Sequence, residues 1–148
     1  MLSRRSFLAL GGTALIGVGA YAGLTFSNAR ADTARVMSPD EALAAAAAGD
    51  ILLVDIRRPD EWKTTGIPQH AVAFDLRDAG FIENVKGARS SQAQPVAVIC
   101  ARGVRSARMT KRLADAGVGP LVDIPEGMLG SLAGPGWLKR GLPVVHVN

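Results

Sequence analysis

Four apolar segments spaced along the chain have the length of β-strands. They cover residues 51–56, 71–74, 95–100 and 121–124. The first and third are continuous apolar runs, a pattern typical of strands that are buried on both faces of a parallel sheet. Each of these two runs carries a chemically active side chain at or near its end, Asp55 in the first and Cys100 in the third.

The clearest helix signal precedes the first of these strands. Ser38 is a typical N-cap residue, Pro39 suits the first helical position, and Glu41 completes a capping box. An alanine run follows and ends at Gly49. We therefore predict a helix over residues 39–48.

Further helical segments alternate with the strands. Residues 57–62 predict a short helix, residues 81–85 one or two helical turns, and Ser106 opens a longer helix that ends at Gly117. The polar stretch 87–94 indicates a surface loop. Because strands and helices of these lengths alternate, we predict the α/β class, with an open, mainly parallel five-stranded sheet and helices on both faces.

The first 31 residues differ from the rest of the chain. Arg4 and Arg5 precede an uncharged stretch over residues 6–29. The motif Ser3-Arg4-Arg5-Ser6-Phe7-Leu8 resembles a twin-arginine export signal. We therefore predict that residues 1–31 are an export signal, that residues 32–148 form the folded domain, and that the twin-arginine export machinery is a partner.

The end of this segment indicates cleavage. Ala29 and Ala31 provide the small residues that a signal peptidase requires, so we expect cleavage before Asp32 and a periplasmic protein that contacts the membrane only transiently. The alternative is an uncleaved anchor facing the periplasm, since the uncharged stretch is long enough to span a bilayer core of about 30 Å.

Charge gives no sign of a nucleic-acid partner. The chain has 17 basic and 13 acidic residues, but three of the basic residues and none of the acidic ones lie in residues 1–31. The remaining 14 basic and 13 acidic residues are nearly balanced. No basic run with interleaved aromatic residues follows, so we expect neither nucleic-acid binding nor a polybasic lipid-binding patch.

The single cysteine cannot form a disulfide within the chain. It is therefore an inert buried residue, an intermolecular partner or a reactive thiol. Cys100 lies between a strand and a helix, where main-chain amides and the helix dipole favour an anion. Arg102 and Arg105 add positive charge, and Gly103 allows a tight loop. We therefore predict that Cys100 is a nucleophile.

Three sequence blocks together span nearly all of residues 32–148. The first block reads Leu53-Val54-Asp55-Ile56-Arg57, with Pro59, Glu61-Trp62 and Ile67-Pro68 beyond it. The second reads Cys100-Ala101-Arg102-Gly103-Val104-Arg105-Ser106. The third reads Glu126-Gly127-Met128, with Trp137 and Gly141-Leu142-Pro143-Val144 beyond it. In this order, the three blocks resemble the rhodanese family.

The resemblance implies a sulfurtransferase without cofactor or metal. Cys100 would take sulfur from a small anionic donor such as thiosulfate and pass it, as a persulfide, to cyanide or another thiophilic acceptor. Main-chain amides of residues 101–105 would cradle the sulfur, and Arg102 and Arg105 would orient the donor. The expected substrate-binding set is Ala101, Arg102, Gly103, Val104, Arg105 and Ser106.

The resemblance assigns Asp55 and Arg57 to the pocket wall. A buried ion pair without substrate contact is an equal alternative for these two residues. The chain departs from the family at Ala101, where many thiosulfate-using members have arginine. It also has a longer segment over residues 129–136, which we predict to form a flexible flap beside the pocket.

Two other functions compete with sulfur transfer. Phosphatases and arsenate reductases use a similar cysteine loop, but theirs is longer, whereas here Arg105 follows Cys100 after only four residues. The other alternative is a carrier that binds sulfur with negligible turnover.

Several remaining residues favour a structural interpretation. His70 and His146 lack the spacing of a metal site, and Trp62 and Trp137 are typical core anchors. The solvated face of the helix after the cysteine loop is predicted to carry Arg108, Lys111 and Arg112.

Overall fold

A computed structural model describes residues 34–147. The predicted export signal, residues 1–31, lies outside the described residues. Within the described part, no helix is both long enough and apolar enough to cross a membrane.

Five parallel strands form the central sheet, in the order β1-β6-β5-β2-β4. Their bounds are Arg35–Val36 for β1, Leu52–Asp55 for β2, Ala71–Ala73 for β4, Val96–Ile99 for β5 and Leu121–Ile124 for β6. The predicted fold class is confirmed. The edge strand β1 is the one that the hydrophobic pattern does not predict, because its two residues are too short to establish a period.

Two further strands pair outside this sheet. β3 (Ile67–Pro68) is antiparallel to β7 (Val144–Val145). Neither strand was predicted, since a two-residue strand depends on a distant partner that a local pattern does not reveal.

The helices are α1 (Pro39–Ala48), α2 (Pro59–Thr65), α3 (Phe81–Ala88), α4 (Val104–Asp115) and α5 (Gly136–Lys139). Four of the helices were predicted, three of them with shifted ends, whereas the short helix α5 was not predicted. The capping box of Ser38 and Glu41 is present, and Gly49 ends α1 in the left-handed conformation with a φ of 79°. Helix α4 begins at Val104, two residues before the predicted start, because Gly103 turns the chain at its N-cap.

The sheet separates two apolar layers. Helices α1 and α5 pack on one face, where Trp137 and Met128 are fully buried. Helices α3 and α4 pack on the other face, and Cys100 belongs to that layer. Leu53 and Val54 point to opposite layers, which explains why this strand is apolar throughout.

Candidate active site

Cys100 directly follows β5, at the carboxyl edge of the sheet. The neighbouring strands β2 and β6 end in register with β5, with Asp55 and Ile124 both paired to Ile99. Open α/β sheets bind ligands at this edge. Only 1% of Cys100 is exposed, so the sulfur lies beneath the loop that follows it.

Two main-chain amides point at the cysteine sulfur. The Gly103 amide donates to Cys100 Sγ over 3.2 Å, and the Ser106 amide donates over 3.4 Å. The Ser106 hydroxyl in turn donates to the Gly103 carbonyl over 3.0 Å. These contacts place the sulfur at the N-terminus of α4, where the amides and the helix dipole favour negative charge on it.

Two glycines allow this loop to fold against its neighbour. Gly103 has a φ of 83°, and a Cβ there would overlap the carbonyl of Pro125. Gly127 has a φ of 66°, and a Cβ there would overlap the carbonyl of Ala101. The loops are joined by hydrogen bonds of 2.9 Å from the Met128 amide to the Cys100 carbonyl and from the Leu129 amide to the Ala101 carbonyl. Neither position accepts a side chain without displacing main chain.

Arg105 forms a bidentate ion pair with Glu61 of α2. Its Nη1 and Nη2 atoms donate to the two carboxylate oxygens over 2.7 and 2.6 Å. These bonds lower the pKa of Glu61 to about 2, and Glu61 raises the pKa of Arg105, with a smaller contribution from Cys100. Both terminal nitrogens of Arg105 are therefore engaged by Glu61, and its role in orienting the donor stays a prediction.

The sequence predicts no role for Glu61 at the cysteine loop. Its position three residues after Arg58 fits a capping box, and its side chain does accept a bond from the Arg58 amide over 3.1 Å. The same carboxylate also reaches the cysteine loop, which is a tertiary contact that a helix-start signal does not report.

The other predicted loop residues lie nearer the surface. Arg102 and Val104 are exposed, and Ala101 is half-buried. Arg102 Nη1 donates to the Gly130 carbonyl over 3.3 Å, and within residues 34–147 no carboxylate lies within ion-pair distance of it. The charge of Arg102 is therefore available beside the loop, whereas that of Arg105 is offset by Glu61.

Asp55 and Arg57 form a buried ion pair. The Arg57 Nε atom donates to both Asp55 oxygens over 3.0 and 3.1 Å, and Nη2 donates to Oδ2 over 2.7 Å. Arg57 also donates to the Thr65 hydroxyl and the Gly66 carbonyl, each over 2.7 Å. Because these donors are used within the protein, the structure favours the buried ion pair over a pocket wall for these two residues.

The segment over residues 129–136 lies beside the cysteine loop and is hydrogen-bonded to it and to its neighbours. The Leu129 amide donates to the Ala101 carbonyl, and the Ser131 hydroxyl donates to the Pro125 carbonyl over 2.8 Å. The Gly136 amide donates to the Glu126 carboxylate over 3.0 Å. These bonds place the segment beside the loop as expected, and its flexibility stays a prediction.

The residues that the sequence favours as structural differ in their burial. Trp137 is fully buried, Trp62 is half-buried, and His70 and His146 are exposed. Among residues 34–147, no group of three or more His, Cys, Asp or Glu side chains is arranged to hold a metal ion. The exposed face of α4 carries Arg108, Lys111 and Arg112, as predicted.

Solved structures share this fold. A protein from M. tuberculosis superposes with a TM-score of 0.62 and 24% identity, covering 78% of this chain and all of that one. A polysulfide-sulfur transferase homodimer from Wolinella succinogenes gives 0.59 and 26%, covering 78% of this chain and 80% of that one. A thiosulfate sulfurtransferase from Pseudomonas aeruginosa gives 0.62 and 22%, covering 78% of this chain and 21% of that one.

Comparison with curated proteins gave no match. The model of the rhodanese-like domain matches residues 38–130, which include the first strand block, the cysteine loop and the glycine at position 127. Because this match covers more than half of the chain and the fold agrees with it, the protein belongs to the rhodanese-like domain family.

Proposed function

We propose that this protein is a sulfurtransferase in which Cys100 carries the transferred sulfur as a persulfide. The observation that carries the proposal is the pair of amide bonds from Gly103 and Ser106 to the cysteine sulfur. Amides held in this way stabilise negative charge as it develops on sulfur and need no rearrangement during the reaction.

The proposed transfer has two steps, and neither step requires an external oxidant. The Cys100 thiolate attacks the outer sulfur of the donor, a new sulfur–sulfur bond forms, and the donor's own sulfur–sulfur bond breaks. With thiosulfate, sulfite leaves with the electron pair. Cyanide then attacks the outer sulfur of the persulfide, which releases thiocyanate and restores the thiolate.

The surroundings of Cys100 favour a narrow anionic donor. Arg102 provides a positive charge without a carboxylate partner among residues 34–147, and only 1% of Cys100 is exposed. Thiosulfate and polysulfide both present a terminal sulfur on an anion, and the W. succinogenes protein that shares 26% of its sequence is a polysulfide-sulfur transferase. We propose one of these two donor types.

The assay is thiocyanate formation from thiosulfate or polysulfide and cyanide, with the wild-type chain and the Cys100→Ser variant. We expect turnover in the wild type and none in the variant, and mass spectrometry after donor treatment should find one added sulfur on wild type only. A persulfide that forms without turnover would identify a sulfur carrier instead. Equal rates for both proteins would refute the role of Cys100.

We also propose that the protein acts outside the cytoplasm. The support is the twin-arginine motif and the Ala29-Arg30-Ala31 sequence before Asp32. Mass spectrometry of the protein recovered from its native compartment tests this proposal. A mature chain beginning at Asp32 is expected, and an intact N-terminus in a membrane fraction would indicate the anchored alternative.

A further inference from the structure

The cysteine loop and α4 carry an excess of positive charge. Residues 101–114 contain five basic residues and no acidic one, whereas the rest of residues 34–147 contains nine basic and 12 acidic residues. Positive charge is therefore concentrated on the helix whose N-terminus lies at the Cys100 sulfur. An uneven distribution of this kind produces a field that attracts acidic partners.

Most of this charge is exposed and is not offset by carboxylates. Arg108 and Lys111 lie four and seven residues after Val104, so the three side chains form one stripe along the outer face of α4, with Arg112 beside it. Within residues 34–147, no carboxylate lies within ion-pair distance of Arg108 or Arg112. Lys111 has a 3.7 Å contact with Asp115, but the two side chains are 79% and 68% exposed, so water weakens that pair.

Two exposed apolar side chains lie on either side of Arg102. Val104 is 61% exposed in the first turn of α4, and Leu132 is fully exposed in the segment over residues 129–136. This segment contacts the cysteine loop, because Arg102 donates to the Gly130 carbonyl. A small anionic donor has no use for either apolar side chain, whereas a protein partner buries such side chains at the centre of its contact and places charges at the rim.

The depth of the sulfur limits how an acceptor can reach it. Only 1% of Cys100 is exposed. The outer sulfur of a Cys100 persulfide lies about 2 Å beyond Sγ, the length of a sulfur–sulfur bond. A cysteine side chain that projects from a partner is narrow enough to approach it, and the residues around that cysteine then rest on the loop and on the first turns of α4.

We propose that these exposed side chains form a docking surface for an acidic protein that presents a cysteine thiol as the sulfur acceptor. The docking surface consists of Arg102, Val104, Arg108, Lys111, Arg112 and Leu132. This inference rests on the proposed sulfur transfer. The acceptor thiolate attacks the outer sulfur of the Cys100 persulfide, and a new sulfur–sulfur bond forms. The bond to Cys100 breaks, its electron pair restores the Cys100 thiolate, and the acceptor leaves as a persulfide.

Two synthetic peptides with a single cysteine serve as acceptor probes for the full chain. One has glutamates around the cysteine, and the other has glutamines at the same positions. With the donor that supports thiocyanate formation, we expect kcat/KM for the glutamate peptide to exceed that for the glutamine peptide about tenfold at low salt. Rising salt should reduce this difference, because it screens the charges.

Arg108→Gln and Lys139→Gln are matched variants, because each removes one exposed positive charge. Lys139 lies in α5, on the opposite face of the sheet from α4. We expect Arg108→Gln to lower the ratio of kcat/KM for the glutamate peptide to that for cyanide by about threefold, and Lys139→Gln to leave it unchanged. Leu132→Ser should also lower this ratio, whereas Val145→Ser, at an exposed valine of β7, should not.

A binding measurement tests the docking surface without sulfur transfer. The probe is a fluorescently labelled glutamate peptide with serine in place of its cysteine, and fluorescence anisotropy measures its binding. Weaker binding to Arg108→Gln than to Lys139→Gln supports the docking surface. If cyanide then gives no thiocyanate, that result refutes the proposed function and leaves the docking surface supported.

Three results would overturn the inference. The first is equal binding of the glutamate and glutamine peptides, and the second is an equal loss of binding in Arg108→Gln and Lys139→Gln. The third is unchanged peptide binding by Arg108→Gln together with loss of self-association or of binding to phosphatidylglycerol vesicles. In that case the occupant of this surface would be a second copy of the chain or a lipid surface.

Discussion

Two Asp-x-Arg segments at neighbouring strand ends have nearly the same local geometry in different surroundings. Asp55 and Arg57 lie at the end of β2, and Asp75 and Arg77 follow its parallel neighbour β4. In both, the arginine amide donates to Oδ1, over 3.1 and 3.0 Å, and Nε donates to the same oxygen, over 3.0 and 2.9 Å. The Nη2 atom then donates to Oδ2, over 2.7 and 2.5 Å.

Exposure distinguishes these two segments. The side chains of Arg57 and Asp55 are 1% and 0% exposed, whereas those of Arg77 and Asp75 are 59% and 20% exposed. Arg57 also bonds to Thr65 and Gly66, which join the far end of α2 to the strand. Hydrogen-bond geometry is therefore set by the short sequence motif, while the energetic consequence of breaking the pair is set by burial.

The largest expected effect comes from removing one partner of the buried pair. Arg57→Met leaves the Asp55 carboxylate buried without its countercharge and leaves the Gly66 carbonyl without its donor. We expect the free energy of unfolding to fall by about 3–5 kcal/mol. Urea denaturation measures this loss, or, if the variant does not fold, its absence from the soluble fraction shows it.

The exposed pair provides the matched control. Arg77→Met removes the same bonds at a site where water replaces them, so we expect a change within the scatter of the denaturation measurement. The double variant Asp55→Leu/Arg57→Met should recover part of the loss, because it removes the uncompensated charge. Equal losses at Arg57 and Arg77 would mean that burial does not distinguish the two segments.

A third ion pair has intermediate exposure and lies at the cysteine loop. Arg105 and Glu61 are 32% and 20% exposed. Arg105→Met removes the link between α2 and the first turn of α4, together with a positive charge that interacts with Cys100. We expect kcat/KM for sulfur transfer to fall about tenfold. The loss of stability should be about 1 kcal/mol.

A variant of Glu61 distinguishes the effect of the Arg105 charge from the effect of linking α2 to α4. Glu61→Gln breaks the ion pair but keeps the Arg105 charge, so we expect kcat/KM to fall less than in Arg105→Met while stability falls by a similar amount. Steady-state kinetics with thiosulfate and urea denaturation measure both quantities. Identical kinetics for the two variants would show that attachment of the loop, and not the charge, matters.

Much of the fold follows from the sequence because its signals are local. The capping box at Ser38 and the apolar runs of β2 and β5 need only neighbouring residues to be recognised. The strands β1 and β7 contain two residues each and exist because a distant strand pairs with them. Their formation depends on tertiary contacts that no local period encodes.

The same difference between local signals and tertiary contacts applies to the site. The position of Cys100 between a strand and a helix can be predicted from the sequence, as can the need for Gly103. The partner of Arg105 could not be predicted, because Glu61 is 44 residues away and its own local signal indicates a helix start.

The last expected effect concerns the acid stability of the ion pair between Arg105 and Glu61. Arg105 lowers the pKa of Glu61 to about 2, so the pair stabilises the folded state above the unfolded pKa of glutamate. That contribution, about 1 kcal/mol after allowance for solvent screening, should be lost as the pH falls from about 4.5 toward 2.

Melting curves of wild type and Glu61→Gln across this pH range measure the contribution. The difference in Tm should be largest near neutral pH and should vanish near the low pH at which Glu61 takes up its proton in the folded state. Because Asp75 is paired with an arginine that is 59% exposed, Asp75→Asn provides the comparison and should give a smaller difference throughout. A difference for Glu61→Gln that does not change with pH would mean that its origin is helix capping at Arg58 and not the ion pair with Arg105.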